Sequence, residues 1–91
     1  MEFVDTDSYN EMISALEKFK ADVSEQCATM TSAGHDCIDN TDNDPAAVNA
    51  NSKISECVQK IQSSVEMIDE IITILNQQLE DVENNYNRAN Q

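Results

Sequence analysis

Apolar residues recur three or four positions apart along almost the whole chain, with polar residues between them. This spacing is typical of one face of an α-helix, whereas a half-buried strand would alternate. The longest such stretch runs from Pro45 to about Arg88 and has no internal glycine or proline. Its apolar stripe comprises Ala47, Ala50, Ile54, Cys57, Ile61, Val65, Ile68, Ile72, Leu75, Leu79, Val82 and Tyr86. A helix this long cannot bury its stripe alone, so it needs a partner helix.

The first half of the chain carries a matching stripe, which we assign to a first helix. Its members are Tyr9, Met12, Leu16, Phe19, Val23, Cys27, Met30, Gly34 and Cys37. Gly34 either lies on the stripe to allow a close approach of the second helix or ends the first helix early, and we favour the close approach. Each stripe contains one irregular step, and the two irregular steps fall near the same level of the predicted structure.

Polar residues mark the ends of both predicted helices. Ser8 and Glu11 fit a capping box, which starts the first helix near residue 8, with Asp5 and Asp7 as alternative caps. The first helix is expected to span about residues 8–38.

A polar turn, residues 39–44, follows. It contains no apolar side chain, and its Asp and Asn residues favour bonds between side chain and backbone. Asp44 then caps a second helix that begins at Pro45 and spans about residues 45–88. The sequence therefore predicts a single all-α domain, an antiparallel two-helix hairpin.

The two stripes can be aligned in an antiparallel coiled-coil hairpin. The alignment that we favour places Cys27 opposite Cys57 and Val23 opposite Ile61, although a slip of one helical turn keeps similar faces. Further apolar residues lie beside the stripe or extend it past the first helix. We predict that they bind partner helices and complete a four-helix bundle, since small hairpins seldom bury enough area to be stable alone. They are Ile13, Val58, Met67, Ile71, Ile74, Leu79, Val82 and Tyr86.

The chain has three cysteines, two of which could form a disulfide between the helices. In the favoured alignment Cys27 and Cys57 could form a disulfide, while about 15 Å along the helix keeps Cys37 from pairing with Cys27. The alternative is three buried small thiols in a reducing compartment.

The remaining chemistry-bearing residues predict no catalytic site, metal or cofactor. His35 and the cysteines lack the spacing of a zinc site, and the acidic segment 36–44 lacks the glycine and glutamate of a calcium loop. The net charge of −13 argues against binding to nucleic acid or anionic membranes. No apolar run is long enough for membrane insertion, and residues 1–5 do not resemble a cleavable signal peptide.

The stripe from Tyr9 to Val23 and the opening of the second helix at Asp44-Pro45-Ala46-Ala47 resemble those of the Trp-x-Gly (WXG), ESAT-like family of small type VII secretion proteins. In place of that family's Trp-x-Gly turn the chain has Asn40-Thr41-Asp42-Asn43, and its export-signal-like segment, Tyr86 to Asn90, ends in Asn rather than Asp or Glu.

The resemblance implies a non-enzymatic helical interaction protein. It would be a type VII secretion substrate, or a targeting and chaperone partner of a secreted LXG-type toxin. It would pair with itself or with the helical N-terminal domain of such a toxin, and it would engage the secretion machinery. Its location would be the bacterial cytoplasm before export without a cleavable signal peptide. The alternative from the pattern alone is a structural or scaffold protein of a phage or coiled-coil assembly.

Overall fold

The chain is a hairpin of two long antiparallel helices in a computed structural model that describes residues 5–89, without the side chains of Asn87 and Ala89. Helix α1 is Thr6–Asn40 and helix α2 is Pro45–Ala89, of 35 and 45 residues. The molecule is a rod with extents of 71 × 17 × 16 Å. The predicted all-α hairpin is confirmed.

The N-terminal cap is the Asp5 carboxylate, and the prediction of Ser8 as the cap is wrong. Asp5 Oδ1 accepts hydrogen bonds from the backbone N–H groups of Asp7 (3.1 Å) and Ser8 (3.2 Å). The Ser8 hydroxyl donates to Asp5 Oδ2 at 2.8 Å. This hydroxyl contact, followed by the backbone bond from Ser8, lowers the pKa of Asp5. The helix therefore begins at Thr6, where an ionised carboxylate satisfies its first N–H groups.

The turn is tight because two residues adopt left-handed backbone conformations. Asp42 has φ 53° and Asn43 has φ 63°, and Asp and Asn tolerate this region better than most residues. The N–H of Asn43 donates a hydrogen bond to the carbonyl oxygen of Ile38 at 2.9 Å, which gives a partner to one of the last carbonyls of α1. Asp44 caps α2 as predicted, with Oδ2 accepting from the N–H groups of Ala46 (3.1 Å) and Ala47 (3.4 Å).

The helices meet along a seam, which we define as the buried and half-buried positions of α1 and α2. On α1 the seam includes Thr6, Tyr9, Ile13, Leu16, Lys20, Val23, Cys27, Met30 and Gly34. On α2 it includes Ala47, Asn51, Ile54, Val58, Ile61, Val65, Ile68, Ile72, Leu75, Leu79 and Val82. Steps of three and four alternate through both sets, which is the heptad pattern of a coiled coil. Thr31 and Ile38 of α1 are also half-buried and lie outside these steps.

The register of the hairpin differs from the favoured alignment by one helical turn. Two grooves flank the seam, and both are lined by Cys27 with Ile61 and by Val23 with Val65. The predicted pairing of Cys27 with Cys57 is therefore wrong, and Cys27 lies at the level of Ile61. All three cysteines are free thiols, with Cys27 buried and Cys57 exposed, so the candidate disulfide is not formed.

Gly34 lies on the seam, as predicted, where it allows a close approach of the helices. A Cβ atom built at Gly34 would collide with the side-chain amide oxygen of Asn51 and lie 3.3 Å from Ile54 Cδ1. The helices approach closely at this level because residue 34 has no side chain.

Candidate functional site

An exposed apolar face is the main candidate site on the described residues. It consists of large apolar side chains that remain open to solvent on the hairpin, with exposed fractions of 41–67%. We define the apolar face as Met12 and Phe19 on α1 with Met67, Ile71 and Ile74 on α2.

Helical geometry places these five residues on one side of the seam. Met12 and Phe19 each precede a seam residue by one position, and they occupy the same heptad position. Ile71 has the equivalent heptad position on α2, one residue before the seam residue Ile72. Met67 and Ile74 each follow a seam residue by two positions, which places them next to the position of Ile71 around the helix. In an antiparallel pair, equivalent flanking positions of the two helices lie on the same side. The groove that joins Phe19 to Ser64, another such position on α2, agrees with this placement.

The register also brings the five residues close together along the length of the rod. Phe19 lies between the levels of Met67 and Ile71, and Met12 lies near the level of Ile74. The apolar face therefore extends about 13 Å along the hairpin, since helical residues rise about 1.5 Å each. It spans both helices, so it forms only when the hairpin has folded in this register.

A groove of about 460 Å³ continues the apolar face toward the turn; we call it the front groove. It is lined by Phe19, Val23, Met30, Ile61 and Ser64, among others. From Met12 to Met30 the face and the front groove together run about 27 Å, which matches about five turns of a docked helix.

A second, rear groove of about 620 Å³ lies on the opposite side of the seam. Small and polar side chains of α1, including Ser24, Ala28 and Ser32, line it together with Val58 and Gln62 of α2. His35 and Ile61 also line this groove.

An ion pair closes the rear side of the seam at Lys20. The Lys20 ammonium contacts the Asp69 carboxylate on α2 and lies 3.7 Å from Glu17 Oε2. The hydrogen bond to Asp69 is the main cause of the raised pKa of Lys20, against partial burial, which lowers it. Because Lys20 occupies a seam position with a partner on the other helix, it favours the observed register over slipped ones.

The predicted partner-binding residues divide into two groups. Met67, Ile71, Ile74 and Tyr86 are exposed, Tyr86 at 69%. Ile13, Val58, Leu79 and Val82 are half-buried in the seam, where they pack in the hairpin itself, and their contact with a partner stays a prediction. Leu79 and Val82 are covered because α1 begins early and the register brings them to the levels of Tyr9 and Thr6. Asn90, the end of the export-signal-like segment, lies outside the described residues.

Sequence reasoning missed Met12 and Phe19 as members of the apolar face. It placed both in the seam, and it favoured Phe19 because Phe19 is more apolar than Lys20, the neighbouring residue that occupies the seam position. The irregular step in each predicted stripe was the signal that could have corrected this. Replacing Met12 and Phe19 by Ile13 and Lys20 restores an unbroken heptad pattern on α1.

Other site types find no support among the described residues. No group of three His, Cys, Asp or Glu side chains within residues 5–89 could hold a metal ion. Within the same range, neither helix contains a stretch sufficiently apolar to cross a membrane. Comparison with protein-family models, curated proteins and solved structures finds no match for this chain. The resemblance to the WXG, ESAT-like family therefore stays a prediction.

Proposed function

We propose that this chain is a non-enzymatic interaction protein that binds partner helices through its apolar face. The observation that carries the proposal is the position of five large apolar side chains from two helices at one level of the rod, all exposed. Scattered exposed apolar residues are ordinary, but a contiguous patch marks an interaction surface.

The surface area of the hairpin supports the same proposal. The chain exposes 7063 Å². A compact monomer of 10.2 kDa would expose only about 5,300 Å², so the hairpin carries an excess of about 1,700 Å². A standard interface covers about 800 Å² per partner. Docking of a second pair of helices, which would complete a four-helix bundle, could cover this excess.

The specific form that we propose is a type VII secretion substrate, or a targeting and chaperone partner of a secreted LXG-type toxin. This form rests on the resemblance of the stripes and of the Asp44-Pro45 helix start, together with the hairpin fold. The chain would act in the bacterial cytoplasm before export, with a second copy or a helical toxin domain on its apolar face.

A scaffold function is the second candidate, and the rear groove favours it. An apolar face on one side and an unfilled groove on the other could join successive copies head to tail. Such contacts build open assemblies instead of closed dimers. Assemblies whose mass grows without limit as concentration rises would favour this candidate.

The test of the proposal is the mass of the purified chain by light scattering over a concentration series. We expect association for the unmodified chain, and we expect Ile74→Glu to abolish it because a carboxylate would be buried in the interface. Thr73→Glu, an exposed neighbour on the rear side, is the matched control and should associate normally. Equal association of both variants would contradict an apolar docking face, and so would a chain that stays monomeric at all concentrations and also fails to bind a helical partner.

A further inference from the structure

We infer that the apolar face selects a helical partner with basic flanking residues, in preference to a second copy of this chain. The inference rests on the proposed function, since it names the chemistry of the partner that the face would bind. The charge of the surface around the face sets this preference.

The rim of the apolar face and front groove is predominantly acidic. We define the rim as the charged residues at the positions that border the face and the groove between Met12 and Met30. All are exposed: Glu11, Lys18, Asp22 and Glu25 on α1, and Lys60 and Glu70 on α2. Acids outnumber bases on this rim, so a docked helix would place its own flanking residues beside a negative surface.

The rest of the chain adds to this preference. The net charge is −13, with 18 acidic and only five basic residues. Two of the bases, Lys20 and Lys53, are already paired with acids of the same chain. A second copy would bring another acidic rim and another −13 charge to the interface. Like charges across a helix interface destabilise it, whereas opposite charges stabilise it and select partners.

The shape of the site indicates that the occupant is helical. The face and front groove form a straight apolar strip about 27 Å long, on which an amphipathic helix can lay its apolar side. The acidic rim then lies beside the flanks of that helix. An anionic membrane would be repelled by the same rim and the same net charge.

A rim-reversed variant of the chain itself can serve as the basic partner. It keeps the hairpin and the apolar face, and it exchanges the four rim acids for lysine. The substitutions are Glu11→Lys, Asp22→Lys, Glu25→Lys and Glu70→Lys. A control variant has the same net charge but carries its four lysines at exposed positions outside the rim. Its substitutions are Asp36→Lys, Asp39→Lys, Glu66→Lys and Glu83→Lys.

The experiment measures dissociation constants by sedimentation for the unmodified chain alone, for each variant alone and for equimolar mixtures. We expect the mixture of the unmodified chain with the rim-reversed variant to associate on the order of 10- to 100-fold more tightly than the unmodified chain with itself. The gain should fall as salt is added and should be much smaller with the control variant. Circular dichroism of each variant verifies that the hairpin is retained.

Two results would overturn the inference, and they are distinguishable. If the unmodified chain pairs with itself as tightly as with the rim-reversed variant, and Ile74→Glu abolishes both complexes, then the apolar face binds without selecting charge. The proposed function then stands and the inference fails. If no mixture associates, or Ile74→Glu leaves the complexes unchanged, the proposed function fails together with the inference.

Discussion

The register of the hairpin can be tested by moving one cysteine by one helical turn. In the structure Cys27 lies at the level of Ile61, whereas the slipped alignment would place it opposite Cys57. The test variant carries Ile61→Cys with Cys57→Ser and Cys37→Ser. The reference variant keeps Cys27 and Cys57 and carries only Cys37→Ser. We expect mild oxidation to form the disulfide in the test variant and not in the reference variant.

Helix geometry determines which pair of thiols can form a disulfide, and chain entropy determines how much the disulfide stabilises the hairpin. One turn displaces the second thiol by about 6 Å along the axis, which puts the Cα atoms of Cys27 and Cys57 beyond the separation that a disulfide can bridge. The new disulfide would close a loop of about 35 residues and, by the chain-entropy estimate, stabilise the hairpin by about 4 kcal/mol.

The assay is a count of alkylated thiols by mass spectrometry after oxidation, followed by denaturant unfolding with and without reductant. The test variant should lose both thiols to alkylation and should unfold at a higher denaturant concentration when oxidised. Efficient oxidation of the reference variant, with none in the test variant, would refute the register. In that case Met12 and Phe19 would not lie at the levels of Met67 and Ile74.

Three further substitutions test local parts of the structure. Gly34→Leu should destabilise the hairpin by about 1–3 kcal/mol through overpacking against Asn51 and Ile54, whereas Ala33→Leu on the exposed side should have little effect in denaturant unfolding. Asp44→Ala should remove the cap of α2, cost about 1 kcal/mol and lower the Tm by roughly 4–8 °C. The pKa of Lys20 is raised in the folded chain, so its ion pair stabilises the fold at pH values below the unfolded pKa of about 10.4. This stabilisation is lost as the pH rises through the pKa of Lys20 in the folded chain. Melting curves in alkaline buffers should therefore show a smaller loss of stability for Lys20→Met than for the unmodified chain, and an equal loss would contradict a role for this pair.

The class of the fold and the start of α2 could be predicted because the signals for them lie within a few neighbouring residues. The Asp44-Pro45 pair combines a capping carboxylate with a residue that fixes φ, and both act within one turn of chain. Gly34 could be placed on the seam because a lone glycine within an apolar stripe indicates a close approach of helices. These inferences needed no knowledge of the partner helix.

The register and the membership of the apolar face could not be predicted in the same way. Counting apolar residues favours Phe19 over Lys20 and Ala50 over Asn51 as seam positions. The structure prefers Lys20 because its stem packs in the seam while its ammonium reaches Asp69 on the other helix. Asn51 fits because Gly34 leaves room beside it. Each choice depends on a residue of the opposite helix, and a one-turn slip changes that residue.

Partner helices that cover the apolar face would protect its methionines from oxidation. Met12 and Met67 lie on different helices of the same face, with exposed fractions of 50% and 64%, and the Ile74→Glu variant at the same concentration serves as the non-associating reference. Peroxide oxidation followed by peptide mass spectrometry compares the chain at a dilution where it is monomeric with the associated chain or the mixed complex. We expect Met12 and Met67 to become protected together on association, and to stay unprotected in the Ile74→Glu variant. Oxidation of Met12 and Met67 at the same rate in both states would contradict this prediction.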